Sequence, residues 1–134
     1  MTKQKRLSVL IIDDNEMIRT VLRVIIQSDT YDVIGDASGS EAGLFQFSKL
    51  WPDVVCLDVH MPDGDGLKVL EQIKQIAPQT VILMVTASSD RETVQTALQR
   101  GAAGFIIKPF NSGTVLDALK KSTAPLRAKK TPPT

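Results

Sequence analysis

Four short apolar runs in this chain end on residues that can do ionic chemistry. Asp13 and Asp14 follow Val9-Leu-Ile-Ile12, Asp58 follows Val54-Val-Cys-Leu57, Thr86 closes Val81-Ile-Leu-Met-Val85, and Lys108 closes Phe105-Ile-Ile107. Singly, each has an ordinary explanation: an aspartate pair as turn and helix cap, a threonine as cap, a lysine as solvated charge. Jointly they supply three carboxylates, a hydroxyl and an ammonium, and their placement at the ends of separate runs is hard to ascribe to chance. Three carboxylates gathered in one place repel one another and raise each other's pKa unless a cation sits among them. A set of oxygen donors without sulfur or histidine suits Mg²⁺, which keeps several waters and takes one or two carboxylates plus a phosphate oxygen.

Whether these residues meet depends on the elements that carry them. Behind the first run, Ile18, Val21, Leu22 and Ile25 recur at helical spacing, with Asp14 or Asn15 placed to cap. Asp32-Val-Ile-Gly-Asp36 reads as a weaker strand, charged at both ends and therefore suited to a sheet edge. Ser40 to Phe47 reads as a helix weakened by Gly43, and Val69, Leu70, Ile73, Ile76 and Ala77 mark a third. Ser89 and Glu92 have the spacing of a capping box ahead of Val94, Ala97 and Leu98, with Gly101 to close that helix. A last helix is expected from Thr114 to about Lys121.

Five strand–helix units in alternation predict an α/β fold, a doubly wound parallel sheet with helices on both faces. Strands that are apolar throughout, rather than alternating, fit burial on both sides. In such sheets ligands bind outside the carboxyl ends of the strands, which is where the chemical residues sit. Residues 122–134 are Pro-rich and basic and are expected to be a disordered tail or a linker stub.

Composition narrows the classes further. The chain has 134 residues, 43% hydrophobic and 23% charged, which fits one globular domain. Sixteen Lys+Arg against fifteen Asp+Glu give a net charge of +1, without the basic excess of a dedicated nucleic-acid binder. The single cysteine, Cys56, cannot form an internal disulfide. No apolar run approaches the roughly 18 residues of a membrane span, and the basic start is followed by too short an apolar stretch for a signal peptide. A cytoplasmic protein with no membrane contact is expected.

Ile12-Asp-Asp14, Leu57-Asp-Val-His-Met-Pro-Asp-Gly-Asp-Gly66, Val85-Thr-Ala87 and Gly101-Ala-Ala-Gly-Phe-Ile-Ile-Lys-Pro109 stand in one order over about 100 residues. With them the chain resembles the response-regulator receiver domains of bacterial two-component signalling over residues 7–121. The resemblance implies a flavodoxin-like sheet of strand order 2-1-3-4-5. It implies that Asp58 accepts a phosphoryl group, and that Asp13, Asp14, Asp58 and the main-chain carbonyl of His60 hold Mg²⁺, with Mn²⁺ as a substitute. It implies further that Thr86 and Lys108 assist at the phosphoryl group, that Thr86 and Phe105 form the switch, and that the Lys108–Pro109 bond is cis. A sensor histidine kinase or phosphotransfer protein is the implied donor. A downstream protein or effector domain is the implied target, with no direct nucleic-acid contact and with room for a phosphorylation-dependent dimer.

Phe105 stands where many relatives carry tyrosine, which excludes a switch that needs a hydroxyl there. The His60 side chain reads either as an exposed loop histidine without a role or as a contact to attacking water or a partner. Asp63, Gly64, Asp65 and Gly66 read as a tight turn, Cys56 as core, and Trp51 as partial surface cover. A phosphatase or phosphotransferase with an aspartate nucleophile is the rival reading. Such enzymes need a second acid/base near the nucleophile and a substrate cap, and no insertion here is long enough for a cap. A flavin or nucleotide module on the same fold would bring a phosphate against three carboxylates without a metal, and no Walker loop is present.

Overall fold

A computed structural model describes residues 6–87 and 91–130 of the chain. The strands form on short apolar runs, with Asp32 and Asp36 carried within β2: β1 (Leu7–Ile12), β2 (Tyr31–Ala37) and β3 (Val54–Asp58) come first. A two-residue antiparallel pair follows, β4 (His60–Met61) and β5 (Gly64–Asp65), and then β6 (Val81–Ala87) and β7 (Gly104–Lys108). The main sheet is parallel throughout and runs β2-β1-β3-β6-β7. Counted along the chain without the small pair, that is the expected order 2-1-3-4-5, and β2 is the expected edge.

The helices are α1 (Glu16–Ile26), α2 (Ser40–Leu50), α3 (Gly66–Ile76), α4 (Arg91–Gln99) and α5 (Ser112–Lys130). They cover the two faces of the sheet separately. On one face Val9, Ile11, Cys56, Leu83 and Val85 pack with Leu22 and Ile26 of α1 and Val115 and Leu119 of α5. On the other, Leu10, Ile12, Leu57, Ile82 and Met84 pack with Phe47 of α2, Leu70 and Ile73 of α3, and Ala97 of α4. Each fully buried Leu or Ile contributes roughly 1.5–3 kcal/mol of apolar burial, so the sheet is a rigid base for whatever projects from its ends. Cys56 belongs to this core, and burial pushes its thiol up to about 12. Trp51 ends α2 in a left-handed conformation, φ 45°, and stays half exposed against the Phe47 ring.

Helix starts follow the local chemistry. Asn15, rather than Asp14, caps α1 by accepting from the Ile18 amide at 3.1 Å. Asp65 caps α3 by accepting from the Leu67 amide at 2.9 Å, so this residue does more than turn the chain. Ser89 of the expected capping box lies outside the described residues.

The largest departure from expectation is α5. The segment read from residue 122 as a tail is helical as far as Lys130. Thr123 explains why: it is fully buried, donates to the Leu119 carbonyl at 2.7 Å and shares a 3.1 Å hydrogen bond with the Tyr31 hydroxyl. Leu126 also packs against the core. These tertiary contacts carry the helix past Pro125, whose ring and missing N–H cost a helix interior about 3 kcal/mol. Residues 131–134 of the expected tail lie outside the described residues.

Candidate functional site

Strand register brings the polar ends together. Ile12 lies level with Leu57, so Asp13 leaves β1 beside Asp58 at the end of β3. Asp58 lies level with Val85, and Ala87 with Lys108, which sets Thr86 and the lysine on the two strands beyond. Asp13 is oriented by its own loop: Oδ1 accepts from the Asn15 amide at 2.9 Å, and the Asp13 carbonyl accepts from the Arg19 guanidinium at 2.7 Å. Oxygens of Asp13, Asp14 and Asp58 all lie within 4.8 Å of one another, with Asp13 and Asp58 buried and Asp14 exposed. The Lys108 ammonium stands 3.5 Å from Asp13 Oδ2 and 3.5 Å from Asp58 Oδ1.

The electrostatics of this arrangement are unbalanced. Burial, then the Asp13 charge, push Asp58 up from 3.8 to about 6, with Asp14 adding to the rise and Lys108 opposing it. Asp13 Oδ2 is buried and has no hydrogen-bond partner among the described residues. One ammonium facing several buried oxygens leaves negative charge uncompensated. The donor set is all oxygen, and exposed Asp14 opens it to water, so the residues fit Mg²⁺ with a partly retained water shell.

The remaining candidates stand around this cluster. Thr86 is buried, and among the described residues its hydroxyl makes a long 3.5 Å contact to the Ala87 carbonyl. It bonds none of the carboxylates. Phe105 lies level with Met84 and packs half-buried on the α3/α4 side of the sheet, the side to which Thr86 also points by strand alternation. His60 is exposed, pairs across the small hairpin with Asp65, and lines a groove with Met61, Leu67 and Thr93. The Lys108–Pro109 bond is cis.

Two residues of the expected turn act at longer range. A methyl group at Gly66 would drive into the main-chain carbonyl oxygen of Asp58, so glycine lets α3 begin against the backbone at the end of β3. Asp63 caps α2 from outside that helix, accepting from the amides of Ser40 at 2.8 Å and Glu41 at 3.2 Å. Its partners are 23 and 22 residues distant in sequence, so local turn chemistry gives no signal for the contact.

Comparison with known proteins agrees with the geometry. Residues 9–120 match the family model of the response regulator receiver domain. The chemotaxis protein CheY of Listeria monocytogenes is 34% identical over 116 residues, covering 87% of this chain and 98% of that protein. Among solved structures, the REC domain of AraT, a response regulator from Geobacillus stearothermophilus, has the same fold. The TM-score is 0.88 at 22% identity, covering 95% of this chain and 100% of that one. A chain of the CheX-CheY-BeF3-Mg²⁺ complex from Borrelia burgdorferi matches with a TM-score of 0.80 at 28% identity, covering 85% and 87%.

Proposed function

Because this chain belongs to the response-regulator receiver domain family, we propose that its Asp58 takes a phosphoryl group from a histidine-bearing donor and so switches a protein-interaction surface. The observation that carries this reading is the single Lys108 ammonium held 3.5 Å from both Asp13 and Asp58 in a cluster of three carboxylates. A charge so placed, beside a buried oxygen whose contact with it is an ion pair and not a hydrogen bond, suits a phosphoryl group and a divalent cation better than it suits the carboxylates alone.

The chemistry follows from the residues. With its pKa raised to about 6, Asp58 is still mostly ionised at neutral pH and more basic than an ordinary carboxylate. One of its oxygens attacks phosphorus, the P–N bond to the donor imidazole breaks, and the nitrogen leaves with the electron pair. An acyl phosphate on Asp58 results, and attack by water on phosphorus returns the free carboxylate and inorganic phosphate. Lys108 offsets charge on the phosphoryl oxygens, and the Thr86 hydroxyl exchanges its long contact with Ala87 for a bond to one of them. Asp13, Asp14, Asp58 and the His60 main-chain carbonyl would hold Mg²⁺, or Mn²⁺ in its place. When bound, the ion supplies positive charge where the phosphoryl oxygens gather.

The donor is a sensor histidine kinase or a phosphotransfer protein, and the target a downstream protein or an effector domain. The beryllofluoride and Mg²⁺ named in the Borrelia complex support an anion-plus-metal site in a relative. As a receiver-family switch it is assigned to the cytoplasm; no helix among the described residues is long and apolar enough to cross a membrane.

The test is labelling by a small phosphodonor such as phosphoramidate. Wild type should be labelled with Mg²⁺ and not without it. Asp58→Asn is nearly isosteric but not nucleophilic, and it should stay unlabelled with an unchanged far-ultraviolet spectrum. Labelling of Asp58→Asn at the wild-type rate would remove Asp58 as the acceptor.

A further inference from the structure

We propose that Asp63 is a positioning residue for the metal: by capping α2 across the fold, its carboxylate fixes the hairpin that carries the His60 main-chain carbonyl. The proposal rests on the reading of Asp13, Asp14, Asp58 and His60 as the Mg²⁺ ligands.

Asp63 sits at the tip of the β4–β5 hairpin, whose paired residues are His60 with Asp65 and Met61 with Gly64. The base of the hairpin is tied to the site, since the Gly66 amide donates to the Val59 carbonyl at 2.8 Å and Val59 donates to the Val85 carbonyl at 3.3 Å. Asp63 anchors the tip to a different element. Its two oxygens accept separately from Ser40 and Glu41, the first two amides of α2. Those amides need such a partner, because the residue at the N-cap of α2 is Gly39, which makes no side-chain cap bond.

The seat is shaped for this carboxylate. A methyl group at Gly39 would stand 2.7 Å from Asp63 Oδ1 and 2.8 Å from Oδ2, closer than real carbon contacts come. The φ of Gly39 is −169°, which any residue adopts, so what glycine provides here is room for the Asp63 carboxylate and not a special backbone conformation. The amide bonds hold the Asp63 carboxyl below the usual carboxylate range, as expected for a carboxylate at a helix N-terminus. A hairpin tied at base and tip holds the carbonyl of His60 in one place relative to Asp58. Mg²⁺ demands near-ideal octahedral geometry, so a ligand free to drift lowers affinity even when it is present. Partners that orient metal ligands are typically worth 10- to 100-fold in metal affinity.

The experiment is Mg²⁺ titration by calorimetry on the whole chain, with amide hydrogen exchange of residues 59–66 measured without metal. Asp63→Ala removes both bonds and should weaken Mg²⁺ binding about 10-fold while raising exchange across the hairpin. Asp63→Asn keeps one acceptor and should fall between. Gly39→Ala leaves Asp63 in the chain but fills its seat, and should reproduce the loss. Ser28→Ala serves as the control for stability alone, since Ser28 accepts from the Thr30 and Tyr31 amides at the opposite end of the sheet. It should lower the melting temperature without changing Mg²⁺ affinity. If Asp63→Asn and Gly39→Ala bind Mg²⁺ as wild type does, Asp63 is only a helix cap and the proposal is overturned. If wild type itself binds no Mg²⁺, the metal-site reading fails and this proposal with it.

Discussion

At the scale of single residues, Asp58 is poised against its own fold. Its pKa rises from 3.8 to about 6 in the folded protein because burial and Asp13 disfavour its charge more than Lys108 favours it. Between those two values the folded state keeps a proton that the unfolded state has lost. The contribution of Asp58 to stability is therefore greatest at low pH and declines as pH rises through about 4 to 6. Asp58→Asn carries no such charge, so it should be more stable than metal-free wild type at neutral pH, by on the order of 2 kcal/mol. The difference should close as pH falls toward 4. Urea unfolding of both proteins from pH 4 to pH 8 in chelator measures this, and a gap constant with pH would contradict it. A carboxylate held at a cost to stability is typical of a site arranged for chemistry rather than for packing.

At the scale of elements, α5 and the β4–β5 hairpin differ in how far sequence foretells them. The strands are legible because a strand buried on both faces reads as an unbroken apolar run, as in Val54–Leu57 and Val81–Val85. The site residues are legible for a related reason: each stands just where such a run stops, and Asp58 and Asp13 are brought together as that placement implies. The family motifs name their roles, but the spacing alone says only that oxygens and a lysine collect at one end of a sheet. The length of α5 is not legible, because Pro125 and a basic, Pro-rich composition read as a helix end. The contact that overrides them pairs Thr123 with Tyr31, 92 residues away. Asp63 stands in a turn as read, but its cap on α2 is not legible for the same reason, since the amides it accepts from are distant in sequence. Thr123→Ala should therefore destabilise the fold by about 1–3 kcal/mol, through loss of the buried hydroxyl contact to Tyr31. It should fray the end of α5 and leave phosphodonor labelling of Asp58 unchanged. Denaturant melts, amide exchange over residues 119–130 and a labelling time course test all three, and a full-length, unfrayed α5 in the Thr123→Ala protein would contradict the role given to that contact.

For the whole molecule, a rigid sheet with its chemistry at one end makes a switch out of small movements. On the proposed function, phosphorylation would add a doubly charged group at Asp58, and Thr86 would turn toward it from the strand beside β7. Phe105 packs half-buried on the α3/α4 side of the sheet, so on that proposal its ring would fill the space Thr86 leaves and the surface around β7, α4 and α5 would shift while the strands stay fixed. A typical coupling of ~1–3 kcal/mol corresponds to a change of about 5- to 150-fold in affinity for a downstream partner or for self-association. Phe105→Ala should blunt that change and leave labelling intact, and equal gains in both proteins would remove Phe105 as the transmitting residue. All of this depends on where the phosphoryl group goes. The most direct test is to phosphorylate wild type with a small phosphodonor and Mg²⁺, reduce the acyl phosphate with borohydride, and locate the altered residue by peptide mass spectrometry. The expected result is reduction at Asp58, dependent on Mg²⁺ and absent from Asp58→Asn. Reduction at Asp13 or Asp14, or a phosphoryl group recovered on His60, would contradict the account.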